Sequence, residues 1–156
     1  MISIIVATDK NGLIGKGEGL PWNFSEDLQY FKKKTMGKFV VLGKRTFLSL
    51  KNPLKGRKII VLSEEKLFAD NKVTVAKSIE EALSLATGEV MIAGGASVYE
   101  QFLKIADRIY LTVVNGEYEG DVYFPVFKKE NWKVIKETKG KNEFLKFQIL
   151  EREKKV

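Results

Sequence analysis

The chain has 156 residues, 44% of them hydrophobic and 30% charged, which is typical of one globular domain with its own core. It contains no Cys and no His, so disulfides, Cys/His zinc sites, a thiol nucleophile and a Ser-His-Asp triad are excluded. Any catalysis must therefore use carboxylates, hydroxyls, cations, the backbone or an external cofactor, and we predict no metal site.

The formal net charge of +7 has two interpretations, because it could attract nucleic acid or a small polyanion. No basic stripe is interleaved with aromatic residues, which argues against nucleic acid. No apolar run is long enough to span a membrane and residues 1–12 lack a signal-peptide pattern, so we expect a cytoplasmic protein, as a monomer with a dimer left open. The Lys- and Glu-rich, Cys-free composition hints at a thermophilic source.

The first predicted strand, residues 2–7, is an almost wholly apolar, β-branched run, as expected for a strand buried on both faces. A glycine-rich loop follows it. Glycines at this density let the backbone lie close to a ligand and leave the loop mobile, as a lid requires. The landmarks of this loop are Gly12, Gly15, Gly17, Gly19 and Leu20-Pro21-Trp22.

A helix is predicted from Ser25, a good N-cap residue, to about Thr35. Asp27 lies one turn before Phe31, so both project from the same side of the helix. A carboxylate on an apolar face is a candidate functional acid. Acidic residues in a first turn also complement the helix dipole, and the helix alone leaves both interpretations open.

A second buried strand is predicted over residues 38–42 and ends at Gly43. Lys44, Arg45 and Thr46 then open a short helix, which makes either an anion site or a plain strand-to-helix turn. A turn over residues 52–56 precedes Arg57 and a strand over 58–62. Arg57 could clamp a carboxylate or be merely exposed, and Ser63 and Glu64 could contact the same ligand as the short helix.

Beyond an irregular segment, 65–72, a short strand is predicted over 73–75. A helix over 79–86 follows, with a capping box at Ser78 and Glu81. A buried strand over 89–93 leads into Gly94-Gly95 and a helix to about residue 104. Strand, two glycines and helix can bring backbone close to a phosphate, although the full G-x-G-x-x-G spacing is absent.

The last predicted strands cover 108–114, 132–138 and 144–151, the last two forming an antiparallel hairpin after a long loop over 115–127. The fold class is therefore α/β: a single domain over 1–156 with a mixed, mainly parallel sheet and helices on both faces. Ligands should bind at the carboxyl ends of the parallel strands, where Asp27, Arg57, Gly94 and Thr112 could converge.

Several motifs resemble those of the dihydrofolate reductase family. Leu13-Ile14-Gly15, Leu20-Pro21-Trp22, Asp27, Phe31 and Thr35 match its signature, and further landmarks follow in family order at 43–47, 53–57, 92–96, 110–112 and 119–121. The resemblance covers essentially the whole chain. It implies this family's fold and NADPH-dependent reduction of 7,8-dihydrofolate to tetrahydrofolate.

The resemblance also assigns roles. Asp27 would hold the pteridine and promote ring protonation with support from Thr112, Trp22 would anchor the loop, and Leu20 would belong to the lid. Arg57 would bind the α-carboxylate of the glutamate tail. The substrate walls would be Ile5, Val6, Leu28, Phe31, Leu50 and Leu54.

For NADPH, the resemblance places the nicotinamide at Ala7 and the loop from Ile14 to Leu20, which includes Gly15 and Gly19. The adenosine phosphates would lie at Lys44, Arg45, Thr46 and Ser63. The pyrophosphate would lie at Gly94, Gly95, Ala96, Ser97, Val98 and Tyr99. Further residues assigned to the cofactor are Gly43, Leu62, Lys77 and Ala93. It also implies a cis peptide between Gly94 and Gly95.

Three residues depart from the family pattern. Glu64 replaces a frequent neutral residue near the 2′-phosphate, which puts a strict preference for NADPH over NADH in question, although Lys77 or Lys66 could compensate. Ala93 is smaller than the usual branched residue. Leu20 replaces a frequent Met of similar volume.

Two alternatives remain at this stage. A pyrimidine reductase of riboflavin synthesis shares the fold, but Pro21-Trp22, Asp27 and Arg57 suit a pterin with a carboxylate tail. A basic nucleic-acid-binding domain would be distinguished by tight oligonucleotide binding that weakens steeply with salt.

Overall fold

A computed structural model describes residues 1–17, 19–50, 53–65 and 73–153. The strands are β1 (Ile2–Thr8), β2 (Leu13–Gly15), β3 (Phe39–Gly43), β4 (Lys58–Leu62), β5 (Val73–Ala76), β6 (Val90–Ile92), β7 (Arg108–Val114), β8 (Val122–Tyr123), β9 (Trp132–Lys139) and β10 (Leu145–Arg152). The helices are α1 (Ser25–Thr35), α2 (Lys44–Ser49), α3 (Ile79–Leu85) and α4 (Ala96–Leu103), with a 3-10 turn at Lys129–Asn131. None of these described helices has the length and apolar content to cross a bilayer.

The main sheet has the strand order β5-β4-β3-β6-β1-β7-β10-β9. The pairings from β5 to β7 are parallel, whereas β10 is antiparallel to both of its neighbours. In the interior strand β1, Ile4 lies beside Ile92 of β6 and Ile109 of β7. The predicted mixed, mainly parallel sheet with a C-terminal hairpin is therefore confirmed.

Helices cover both faces of this sheet, as predicted. On one face, α3 and α4 pack against a cluster that includes Ile4 and Val41. On the other face, α1 and α2 pack against a cluster that includes Ile5 and Val40. The side chains of neighbouring residues in one strand thus pack on opposite faces of the sheet. Since both faces are covered, the central strands are apolar throughout.

A small second sheet was not predicted. β2 lies inside the glycine-rich loop and pairs antiparallel with β8, which lies inside the predicted long loop. Each strand has two or three residues, and their pairing joins segments over a hundred positions apart. No local pattern of the sequence specifies such a contact.

The start of α1 also differs from the prediction. Ser25 is the first helical residue, and the N-cap position is held by Phe24, which makes no side-chain capping bond. The capping box of α3 is partly confirmed: Ser78 Oγ accepts from the Glu81 N–H, but Glu81 accepts from the Lys77 N–H.

The strand and helix bounds shift by one or two residues in several other elements. Parts of the predicted 52–56 turn and the 65–72 segment, including Lys66, lie outside the described residues.

Strand β9 forms one edge of the main sheet as described. Beyond Trp132 all of its residues are exposed, including Lys133, Lys136 and Lys139. Its register with β10 shifts between Ile149 and Leu150, which bends the pair locally.

Candidate active site

Asp27 lies in the first turn of α1, half-buried against the sheet. Its Oδ1 accepts a hydrogen bond of 2.8 Å from the hydroxyl of Thr112, a buried residue near the carboxyl end of β7. Burial raises the pKa of Asp27; the Thr112 hydrogen bond opposes this, and the neighbouring Glu26 charge adds to it. The structure thus joins two residues predicted to act together and favours a carboxyl that holds its proton more tightly than usual.

An apolar wall lies beside Asp27. The predicted wall residues Ile5, Phe31, Leu50 and Leu54 belong to one cluster, on the face covered by α1 and α2. Two other predicted wall residues lie elsewhere. Val6 packs in the cluster on the opposite face, because adjacent strand residues alternate, and Leu28 is 53% exposed.

Arg57 directly precedes β4, so it lies at the amino end of this parallel strand and not at the carboxyl ends, where it was predicted to converge with Gly94 and Thr112. Its Nη1 donates to the Thr35 hydroxyl at 3.4 Å, and Thr35 in turn donates to the Phe31 carbonyl at 2.7 Å. Within the described part of the chain, no carboxylate forms an ion pair with Arg57 and its Nε lacks a partner. Burial lowers the pKa of its guanidinium. Apart from the Thr35 contact, this cation is available to an anionic ligand.

A cavity of about 730 Å³ opens beside the glycine-rich loop, between the starts of α2 and α4. Its size suits a small-molecule ligand. Many predicted cofactor residues line it: Gly43, Lys44, Arg45, Thr46, Leu62, Ser63, Lys77, Gly95, Ala96, Ser97 and Val98. Gly17, from the loop predicted to lie at the nicotinamide, also lines it. Four further lining residues were not predicted: Ser78, Gln101, Asp121 and Val122.

The floor of the cavity depends on small residues. Gly43 N–H donates to the Gly94 carbonyl at 2.8 Å, and a Cβ on Gly43 would lie 3.1 Å from Val98. A Cβ on Gly95 would lie 3.0 Å from the Thr46 hydroxyl. The Gly94–Gly95 peptide is cis, as the resemblance implied. Glycines therefore let the ends of β3 and β6 approach each other and leave backbone facing the cavity.

Charges around the cavity are mixed. Lys44, Arg45 and Lys77 supply cations, while Glu64 and Asp121 supply carboxylates. Lys44 also forms an exposed ion pair with Glu65 at 3.5 Å. The cations together with the free N–H groups at the start of the eight-residue α4 suit a phosphorylated ligand.

The glycine-rich loop is attached to the 115–121 segment. Gly17 N–H donates to Asp121 Oδ1 at 2.8 Å, and Asp121 N–H donates to the Gly15 carbonyl at 3.1 Å. Ile14 is buried in the core, whereas Gly19 does not line the cavity and Leu20 is 56% exposed. The predicted lid residues are thus not gathered over the cavity in this structure.

Trp22 closes the loop as a buried residue. It packs with Ala7 and contacts the ring of Tyr118 edge-on, at 5.2 Å between centroids. Its indole N–H has no hydrogen-bond partner within the residues described.

Tyr99 is also buried. Its hydroxyl donates to the Ile5 carbonyl at 2.8 Å, and burial raises the pKa of Tyr99. Ala93 packs against the same cluster as the apolar wall beside Asp27.

The fold and the site together define a class of protein. A carboxylate beside an apolar wall is bonded to Thr112 near the carboxyl end of β7, and a cleft suited to a phosphorylated ligand lies between the starts of α2 and α4. This combination is typical of α/β enzymes that use a nucleotide cofactor.

Comparisons with known proteins agree. A family model described as dihydrofolate reductase matches residues 1–153. Dihydrofolate reductase of Bacillus subtilis (strain 168) is 41% identical over 142 residues, which are 90% of this chain and 84% of that protein. Dihydrofolate reductase type 3 of Salmonella typhimurium is 42% identical over 137 residues, 86% of this chain and 85% of that protein.

A solved structure is also similar: dihydrofolate reductase from Enterococcus faecalis, complexed with NADP(H) and RAB-propyl. It has a TM-score of 0.90 and 31% identity, and the match covers 99% of this chain and 97% of that chain. The chain belongs to the dihydrofolate reductase family.

Proposed function

We propose that this protein catalyses the NADPH-dependent reduction of 7,8-dihydrofolate to 5,6,7,8-tetrahydrofolate. The observation that carries the proposal is Asp27: a half-buried carboxylate, bonded to Thr112, on the wall formed by Ile5 and Phe31. The family match and the named relatives support the reaction. We infer further that the protein acts as a single-domain monomer in the cytoplasm.

The cavity fits NADPH by its chemistry. Lys44, Arg45 and Thr46 would bind the adenosine phosphates, with Ser63 and Lys77 beside them. The backbone at Gly95 and Ala96 would bind the pyrophosphate at the start of α4. When bound, NADPH supplies the hydride; the chain supplies its placement and its electrostatic surroundings.

Asp27 would hold the pterin. A carboxylate opposite an N–C–NH2 edge can accept two parallel hydrogen bonds, which fixes the ring against the wall. Because burial raises its pKa, Asp27 also favours a proton on or near the ring at pH values where an ordinary Asp would not. Thr112 uses one acceptor site of Oδ1, so Oδ1 can still accept a second hydrogen bond and Oδ2 is left for the ligand.

Arg57 would bind the α-carboxylate of the glutamate tail. Thr35 contacts its guanidinium, and a guanidinium can bind a carboxylate through two parallel hydrogen bonds. Ile5, Phe31, Leu50 and Leu54 would contact the rings between these ends.

The loop around Trp22 would cover the nicotinamide. Ala7, Ile14 and Gly15 lie at the base of the loop. Leu20 is exposed, so it would cover the nicotinamide ring only if the loop moved inward when ligands bind. Gly19 would permit that movement.

The direct test is the loss of NADPH absorbance when dihydrofolate is added to the purified protein. Oxidation that requires both compounds is expected. Oxidation supported instead by a ribosylated aminopyrimidine would indicate the riboflavin-pathway reductase, and no oxidation with either substrate would contradict the proposal.

A further inference from the structure

Asp9 is a buried carboxylate at a junction between two loops. It directly follows β1 and is only 3% exposed. Its Oδ1 accepts from the backbone N–H groups of Asn11 at 2.8 Å and Leu13 at 2.9 Å. Its Oδ2 accepts from the backbone N–H of Tyr118 at 3.1 Å, 109 positions away in the chain.

No cation accounts for this buried charge, because none of the ion pairs in the described ranges includes Asp9. Burial of a carboxylate is unfavourable unless hydrogen-bond donors replace water. Three backbone donors do so here: two come from the start of the glycine-rich loop and one from the 115–121 segment.

A local turn explains only part of this arrangement. The bonds from Asn11 and Leu13 to Oδ1 are those of an Asp that stabilises its own turn. The bond from Tyr118 to Oδ2 joins a distant segment and has no role in that turn. The second oxygen therefore connects the beginning of the glycine-rich loop to the 115–121 segment.

Tyr118 continues the connection to the end of the loop. Its ring contacts Trp22 edge-on at an interplanar angle of 67°, and both side chains belong to the cluster that contains Val114 and Phe147. Trp22 lies just before α1, which carries Asp27. Asp9, Tyr118 and Trp22 thus form one continuous path from the start of the loop to its end.

We propose that Asp9 is a positioning residue for the reaction: through Tyr118 and Trp22 it sets where the glycine-rich loop lies over the nicotinamide site. This inference rests on the proposed function. Misplacement of reacting groups by about 1 Å can slow a reaction by about 100-fold, so loss of such an anchor should reduce turnover more than ligand binding.

Asp9→Asn is the sharpest variant. An Asn has one acceptor oxygen, and its NH2 group cannot accept a hydrogen bond. If the oxygen keeps the pair from Asn11 and Leu13, the NH2 group must face the Tyr118 N–H. The substitution therefore breaks the long-range tie and preserves the local turn.

Asp107→Asn is the matched control. Asp107 Oδ2 also accepts a backbone N–H, from Ile2 at 2.9 Å, but at the opposite end of β1. Both variants remove one carboxylate charge. An Asn at 107 still accepts the Ile2 N–H through its amide oxygen, so this control isolates the effect of the charge. Only the Asp9 variant should change the position of the glycine-rich loop.

Two readouts separate positioning from general stability. In Asp9→Asn, single-turnover NADPH oxidation should slow by about tenfold, and the KM for dihydrofolate should stay within about twofold of wild type. In Asp107→Asn, the single-turnover rate should remain unchanged. In a Trp132→Phe background Trp22 is the sole tryptophan, and its emission should shift in Asp9→Asn but not in the control.

A normal single-turnover rate together with unchanged Trp22 emission in Asp9→Asn would overturn the inference. If that variant does not fold, Tyr118→Leu provides the test, because it keeps the backbone donor but removes the ring contact with Trp22. Its single-turnover rate should be as slow as that expected for Asp9→Asn. A wild-type rate in Tyr118→Leu would contradict the proposed connection from Asp9 to Trp22. If the wild-type protein does not oxidise NADPH with dihydrofolate, the proposed function fails, while the emission readout still tests the path.

Discussion

At the scale of single residues, the proposed chemistry depends on two charged groups. Asp27 is partly withdrawn from water, and Arg57 is hydrogen-bonded to Thr35. Both residues were selected from the sequence as site candidates. Their surroundings were predicted less well, because the exposure of Leu28 and the opposite orientation of Val6 depend on how α1 and β1 pack, which a linear pattern of apolar residues does not specify.

The pH dependence of turnover should follow Asp27. Since burial raises its pKa, turnover should be highest when this carboxyl is protonated and fall by about tenfold per pH unit above that pKa. Asp27→Asn should reduce turnover by at least about 100-fold at neutral pH and remove this limb of the profile. Steady-state rates at several pH values check this, and near-normal activity of the variant would contradict it.

The same shift affects stability with a definite sign. Folded Asp27 has a higher pKa than unfolded Asp27, so the folded state binds more protons, and stability falls as the pH rises from about 3.9 through the raised pKa. Asp27→Asn should therefore melt about 2 °C higher than wild type at pH 7. Scanning calorimetry should show the difference disappear below about pH 4; a less stable variant at pH 7 would be inconsistent with this account.

Arg57→Leu tests the other end of the wall. It should weaken dihydrofolate binding by about 100-fold, since a charged hydrogen-bonded pair is lost, and leave binding of a pterin without a glutamate tail nearly unchanged. Lys55→Leu removes the same charge from the neighbouring turn and should affect neither ligand. Equal losses for both ligands in the Arg57 variant would place the tail elsewhere.

At the scale of elements, α1 is held by a contact that its own sequence does not show. Phe24 cannot cap the helix, and the Glu26 carboxylate instead accepts from the backbone N–H groups of Lys141 and Asn142, both at 2.8 Å. These bonds lower the pKa of Glu26. The buried central strands were predictable because apolar runs specify them locally, whereas this contact, like the β2–β8 pair, depends on tertiary structure.

Glu26→Gln should weaken the link between α1 and the hairpin. Because the folded pKa of Glu26 is lowered, its stabilisation is present above about pH 4.3 and is lost as the pH falls through the folded pKa. We expect a melting temperature about 2 °C below wild type at pH 7, and a smaller difference at low pH.

Glu143→Gln is the control for this variant, since Glu143 lies in the same turn and accepts none of these bonds. Circular-dichroism melting curves of the three proteins measure the effect. Identical melting temperatures at pH 7 would show that the contact contributes nothing.

At the scale of the whole molecule, the strand order brings distant segments to one cleft. β6 lies between β3 and β1, so the ends of these strands meet at Gly43 and Gly94 although 50 positions separate them. The β–α alternation predicted such a convergence at the carboxyl ends. It did not predict Gln101 or Asp121 in the cavity lining, because their positions depend on the pitch of α4 and on the path of the 115–121 segment.

The cofactor preference should depend on the start of α2. Changing both Lys44 and Arg45 to Ala should weaken NADPH binding by about 100-fold and NADH binding by less than about threefold, because only NADPH carries the 2′-phosphate. Changing Lys104 and Lys128 to Ala removes the same charge beyond the C-terminal end of α4 and should alter neither. Ligand-dependent melting shifts report the affinities, and an unchanged NADPH-to-NADH ratio would place the 2′-phosphate elsewhere.

The exposed edge of the sheet has a consequence for how copies of the protein behave at high concentration. A further strand could add to β9 by main-chain hydrogen bonding, and the spaced ammonium groups of Lys133, Lys136 and Lys139 repel the same strand of another copy. The register shift against β10 also makes this edge irregular, which disfavours a continuous intermolecular ladder. We therefore expect these three lysines to disfavour aggregation, and their neutralisation should promote self-association without any change at the proposed active site.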